Sequence, residues 1–159
     1  MNRIYVSILE NLSEPEWFNN VEAFMHKALS LLPDFDREEI SILFCDDPYI
    51  QQLNNNFRNI DAPTDVLSFE NGEEYEDEEG KWLCAGDIVI SLDMLPVNAS
   101  YFEVDQNAEL KRLLVHGLLH LNGYDHGEEH IEKGKAPECE MLKIQEDLLI
   151  KLKDEIIIK

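Results

Sequence analysis

The chain has 159 residues, 44% of them hydrophobic, and no Pro/Gly/Ser-rich linker divides it, so one domain spanning 1–159 with a sizeable core is expected. Thirteen Lys and Arg against 34 Asp and Glu give a formal charge of −21, which opposes long-range attraction of nucleic acid, since a binder of RNA or DNA ordinarily carries a basic face. No apolar run approaches the roughly 20 residues that span a bilayer, and no basic-then-apolar leader opens the chain, so a cytoplasmic protein with no membrane partner is expected.

In chain order, Ile4, Val6 and Ile8 alternate with polar residues at the period of a half-buried strand. Ser13 offers an N-cap and Pro15 an early helical position. Trp17, Val21, Phe24, Ala28 and Leu31 then recur at helical spacing until Pro33, and His26 on that helix reads as a surface residue. Ile40, Ile42, Leu43 and Phe44 predict a second strand. It ends at Asp46-Asp47-Pro48, whose acidic residues suit the start of a helix carrying Ile50, Leu53 and Phe57. Arg58 lies where that helix gives way to a loop. A third strand follows around Val66 and Ser68, and a fourth from Asp87 to Ser91 is apolar enough to be central.

Between them, Glu70, Glu73, Glu74, Glu76, Asp77, Glu78 and Glu79 crowd one stretch that reads as a solvated acidic loop, 70–83. A further helix is expected from about Leu92 to Phe102. Asp105 then caps a helix whose buried stripe is Leu110, Leu113, Leu114, Gly117, Leu118 and Leu121. A last helix carries Met141, Ile144, Leu148 and Leu149. The expected fold is α/β or α+β, a small mixed four-stranded sheet flanked by about five helices. Cys45, Cys84 and Cys139 are odd in number and widely spaced, so they form neither a disulfide framework nor a C-x-x-C knuckle, and no disulfide-linked partner is expected.

The chemistry concentrates in Val115-His116-Gly117-Leu118-Leu119-His120-Leu121-Asn122-Gly123-Tyr124-Asp125-His126. Four positions apart on a helix, His116 and His120 share one face. Gly123 permits the positive φ that ends the helix and turns His126 back toward the same point. Three imidazoles with an open fourth position describe a catalytic zinc site, one Zn2+ per chain, whereas structural zinc is usually closed by four protein ligands. A lone helical histidine is ordinarily a surface or core residue, but three at this spacing among leucines are not. The spacing is that of the metzincin motif, except that Gly117 stands where the general-base glutamate belongs, which argues against ordinary peptide hydrolysis. The helix is thus zincin-like without being a zincin. Asp125 reads equally as a turn residue or as an acceptor for an imidazole N–H.

His-Gly-Leu-Leu-His-Leu-Asn-Gly-Tyr-Asp-His strongly resembles the signature of the YbeY family of bacterial endoribonucleases. Phe57-Arg58-x-x-Asp61-x-Pro63-Thr64-Asp65-Val66-Leu67-Ser68-Phe69 and Gly86-Asp87-Ile88-Val89-Ile90-Ser91 resemble its other motifs, in the family's order. The resemblance covers residues 57 to 126. It implies a single-strand-preferring, zinc-dependent endoribonuclease acting in 16S ribosomal RNA 3′-end maturation and late ribosome quality control. Its partners would be ribosomal RNA and the ribosomal subunit or its proteins. By match to the motifs, His116, His120 and His126 are the metal ligands and Arg58 is the functional arginine. The acidic, Trp82-containing insert between Phe69 and Gly86 is longer than the family's short connection.

On RNA, zinc could activate water or polarise a phosphoryl oxygen. With glycine at 117, the proton acceptor must be a zinc-bound hydroxide itself, the substrate's own 2′-oxygen chemistry, or another carboxylate such as Asp65 or Asp125. Arg58, Lys111 and Arg112 could form a local positive cleft despite the net charge. Two rival readings use the same residues: a metallopeptidase-like hydrolase, favoured by the histidine spacing and opposed by Gly117, and a non-catalytic ribosome-assembly module with a structural metal, opposed by the open three-ligand site.

Overall fold

The computed structural model describes residues 2–32, 37–123 and 140–159. Among these residues, nine α-helices and strands follow in order: β1 (Arg3–Ile8), α1 (Val21–Ser30), β2 (Glu38–Cys45), α2 (Asp47–Arg58), β3 (Val66–Asp77), β4 (Gly80–Ser91), α3 (Met94–Phe102), α4 (Gln106–Leu121) and α5 (Glu140–Lys151). The strands form one sheet in the order β1-β2-β4-β3, parallel except for β3, which runs antiparallel to β4. This is the mixed four-stranded α+β architecture that the alternation of strand and helix patterns predicts.

Successive residues of β2 point to opposite faces and divide the core in two. Ile40, Ile42 and Phe44, with Ile88 and Ile90 of β4, pack under α1, α4 and α5. Cys45, with Leu67 and Val89, packs on the other side against Ile50, Tyr49 and Leu53 of α2. Burial pushes the Cys45 thiol up to about 12, so it is a packing residue rather than a thiolate. Asp46 caps α2 by accepting from the Tyr49 N–H at 3.1 Å, and left-handed Asn59 ends it directly after Arg58.

Two expectations change. The first helix does not start at Ser13 and Pro15. A short 3-10 turn at Phe18–Asn20 precedes α1, because the Trp17 and Phe18 rings are drawn edge-on to Phe44, with centroids 5.3 and 6.2 Å away. The stretch 70–83 is not a loop either. β3 runs through the acidic residues to Asp77, turns at Glu78-Glu79, and returns as β4 from Gly80. Two aromatic residues, Tyr75 and Trp82, are direct cross-strand partners and hold the hairpin. Trp82 is only 2% exposed, the Arg3 guanidinium lies 3.7 Å above its ring, and its indole N–H donates to Asp77 at 3.0 Å. Arg3 also pairs with Asp77 and Glu79 at 2.7 Å each, while the Tyr75 hydroxyl donates to Glu39 at 2.7 Å. The carboxylates of Glu70, Glu73, Glu74, Glu76 and Glu78 stay on the exposed surface.

Helix α4 begins at Asp105, whose carboxylate accepts from the Ala108 N–H at 2.7 Å, and every residue of the expected stripe is buried. It lies against β4 with opposite sense. A Cβ placed on Gly117 would come 2.8 to 3.1 Å from three side-chain carbons of Ile88, and one on Gly86 would meet the Phe69 carbonyl and, at 2.9 Å, Leu121. Gly86, at φ +141, therefore serves both an irregularity in the sheet and the close seating of the C-terminal end of α4. The histidine end of α4 is thus set over the level where the acidic hairpin leaves the sheet.

Candidate metal centre

His116 and His120 stand one turn apart on α4, both half-buried, with ring centroids 4.7 Å apart and planes at 74°. Nδ1 of His116 lies 2.7 Å from Oε1 of Gln145, a fully buried residue of α5. A carboxamide oxygen only accepts, so Nδ1 carries the proton and donates, and Nε2 is the nitrogen with the lone pair. That is the preparation a metal-ligating imidazole ordinarily receives. The donors present fit zinc. Among the described residues, no set of three His, Cys, Asp or Glu converges to hold a metal, so a three-donor site needs a residue outside them. His126 and Asp125 both lie in that undescribed range.

One turn before His116, Arg112 is held in a half-buried polar knot. It donates to Glu109 at 2.8 and 2.6 Å and to Asp65 at 3.3 Å, and its guanidinium sits 4.9 Å from the Phe102 ring centre. Burial works against its charge, but hydrogen bonding and attraction from Glu109, joined by Asp65, outweigh it and raise the pKa. Asn98 donates to the same two carboxylates, at 2.8 Å to Asp65 and 3.3 Å to Glu109. The other oxygen of Asp65 accepts from the Val66 N–H at 2.8 Å. Both oxygens of Asp65 are therefore engaged, and they tie the start of β3 to α4.

The expected positive cleft changes accordingly. Lys111 is buried, and its ammonium donates to the carbonyls of Leu152 and Lys153 at the end of α5, with burial lowering its pKa. Arg112 is neutralised by two carboxylates. Arg58 remains exposed, with no hydrogen bond or ion pair to a described residue. It ends α2, the helix that packs on the sheet face opposite α4. At the other end of the site, Glu38 is buried near the α4 terminus. Burial pushes its carboxyl pKa up, countered in part by a hydrogen bond from the Asn122 side chain.

Gln145, Glu109 and Asn98 escaped the sequence reading. The legible signal was a polar residue inside an apolar stripe: Gln145 falls between Met141, Leu142 and Leu148, all buried, as Glu109 does beside Leu110 and Leu113.

A family model described as Endoribonuclease YbeY matches residues 7–153. A protein of Treponema denticola named Endoribonuclease YbeY is 56% identical over 135 residues, covering 84% of this chain and 83% of the relative. Namesakes from Treponema pallidum (strain Nichols) and Borreliella afzelii are 41% and 39% identical, covering 94% and 92% of this chain and 89% and 93% of theirs. The solution structure of TM1509 from Thermotoga maritima superposes with a TM-score of 0.60 at 25% identity, covering 96% of this chain and 90% of that one. With residues 7–153 matched to the family model and a 56% identical relative covered over 83% of its length, this protein belongs to the YbeY family.

Proposed function

We propose that the protein is a zinc-dependent endoribonuclease that prefers single-stranded RNA and acts in 16S ribosomal RNA 3′-end maturation and late ribosome quality control in the cytoplasm, with ribosomal RNA and the ribosomal subunit or its proteins as partners. The observation that carries this is the imidazole pair on α4, with Nδ1 of His116 held against Gln145 so that Nε2 is the nitrogen with the ring's lone pair. His116, His120 and His126 would hold one Zn2+, which supplies Lewis acidity toward a phosphoryl oxygen or water. Gly117 faces Ile88 and provides no base. Asp65, already accepting from Arg112, Asn98 and the Val66 N–H, suits positioning of α4 better than proton transfer. Asp125 remains the other carboxylate candidate. Incubating purified, metal-replete protein with single-stranded and structured RNA, beside an EDTA-treated control, tests the reading: endonucleolytic products should appear, vanish with EDTA and return with zinc. Cleavage that is indifferent to EDTA would reject it.

Arg58 is the exposed cation of the second motif, and its planar fork suits a phosphate. In Arg58→Lys the charge stays and the bidentate geometry goes. RNA cleavage should then fall about a hundredfold, the usual cost of roughly 3 kcal/mol for losing one preorganised donor, with zinc content and melting temperature unchanged. Near-normal cleavage by both Arg58→Lys and Arg58→Glu would make Arg58 an ordinary surface residue.

The hairpin acts in the opposite sense. Its exposed carboxylates repel phosphates near the histidine end of α4, over a range set by salt. Glu73→Gln/Glu74→Gln/Glu76→Gln/Glu78→Gln, which spares the Arg3 partners Asp77 and Glu79, should tighten RNA binding at low ionic strength and leave zinc binding intact. Weaker RNA binding in a filter or anisotropy titration would show that these carboxylates take part in the site.

A further inference from the structure

We propose that Gln145 is a positioning residue for the metal site: its amide oxygen holds His116 in the Nδ1–H tautomer and fixes the ring plane, so that Nε2 is presented to the ion. The inference rests on the zinc reading above and adds to it a residue on a different helix. Three observations carry it. The contact is short, 2.7 Å, and joins α4 to α5 across 29 positions of sequence. Gln145 is fully buried in a stripe otherwise made of Met141, Leu142 and Leu148, where an aliphatic residue would fill the space without the desolvation cost of a carboxamide. Its Nε2, also buried, has no hydrogen-bond partner among the described residues, so the side chain is not kept there by full satisfaction of its own polar groups. What the amide does accomplish is the single bond to His116. An acceptor-only oxygen at Nδ1 excludes the Nε2–H tautomer, which could not bind a metal through Nε2.

The test uses the full chain and reads tautomer and zinc affinity separately. Long-range proton–nitrogen NMR of the metal-free protein, with histidine nitrogens labelled, should show His116 as the Nδ1–H tautomer. Gln145→Leu, close in volume but without an acceptor, should release the ring into a mixture. Gln145→Glu, which keeps the acceptor, should hold it. In zinc titrations against a competing chelator, Gln145→Leu should bind about 10–100-fold more weakly than wild type, the usual effect of losing an outer partner, and Gln145→Glu should recover most of that loss. Melting of the metal-free proteins separates this from a packing role, which would lower stability without changing the tautomer. An Nε2–H tautomer in the wild-type protein overturns the proposal whatever the variants do. Equal zinc affinity in wild type and Gln145→Leu overturns the positioning role alone, whereas a wild-type protein that binds no zinc defeats the zinc reading itself.

Discussion

The His116→Ala/His120→Ala protein is expected to fold, to carry no stoichiometric zinc after dialysis, and to cleave RNA no faster than an EDTA-treated control. Both rings are half-buried and lie outside the buried stripe of α4, so truncating them costs little apolar packing, although His116→Ala also leaves the buried Gln145 amide oxygen without its partner and should lower the melting temperature by a few degrees. Alanine also favours the helix. The loss therefore falls on the metal. Outer partners of a ligating histidine are alone worth about 10–100-fold in affinity, so removing two imidazoles outright should exceed about a hundredfold. Elemental analysis beside a melting curve checks it. Full zinc occupancy in the double variant would place the metal elsewhere in the chain.

The second large effect is at Gly117. Restoring the glutamate that metzincins carry at this position should not create a peptidase; it should unfold the protein or come close to it. The built Cβ meets Ile88 at 2.8, 3.0 and 3.1 Å, and Ile88 is itself fully buried, so the neighbour cannot swing away. Gly117→Ala should cost about 1–2 kcal/mol, overpacking of roughly 1–3 kcal/mol being partly offset by the better helix propensity of alanine. Gly117→Glu adds a buried, unpartnered carboxylate and should exceed about 4 kcal/mol, much of the total stability of an ordinary domain. Ile88→Ala removes all three contacting atoms. In that background Gly117→Ala should become neutral or stabilising, and urea melts of the four proteins measure the coupling. An unchanged melting temperature in Gly117→Ala would mean that α4 sits further from β4 than it does here.

The same position shows how far the residues could be read alone. His116 and His120 were legible because a helix converts a four-residue interval into a shared face, and that conversion needs no tertiary information. Glycine at 117 was legible as a missing base, but its cause was not, since it depends on which carbon of β4 lies beneath it. The hairpin failed for a related reason. A run of carboxylates reads as solvated whatever its backbone does, and the residues that decide the matter, Tyr75 and Trp82, find their partners Glu39 and Arg3 on other strands. Lys111 and Arg112 carried the right charge in sequence and lost it as surface in the fold, one capping the end of α5 and the other enclosed by Glu109 and Asp65. The start of α1 moved because Phe44, distant in sequence, claims Trp17 and Phe18.

The strand order leaves β3 at an edge of the sheet, 12 residues long, and among the described residues no strand pairs with its outer side. Such an edge is a template on which a second copy of the chain could add its own backbone and begin to aggregate. The repeated glutamates make that addition unfavourable, because two such strands side by side would set carboxylate against carboxylate along their length. A charge excess that is a handicap for holding RNA thereby protects the chain from itself.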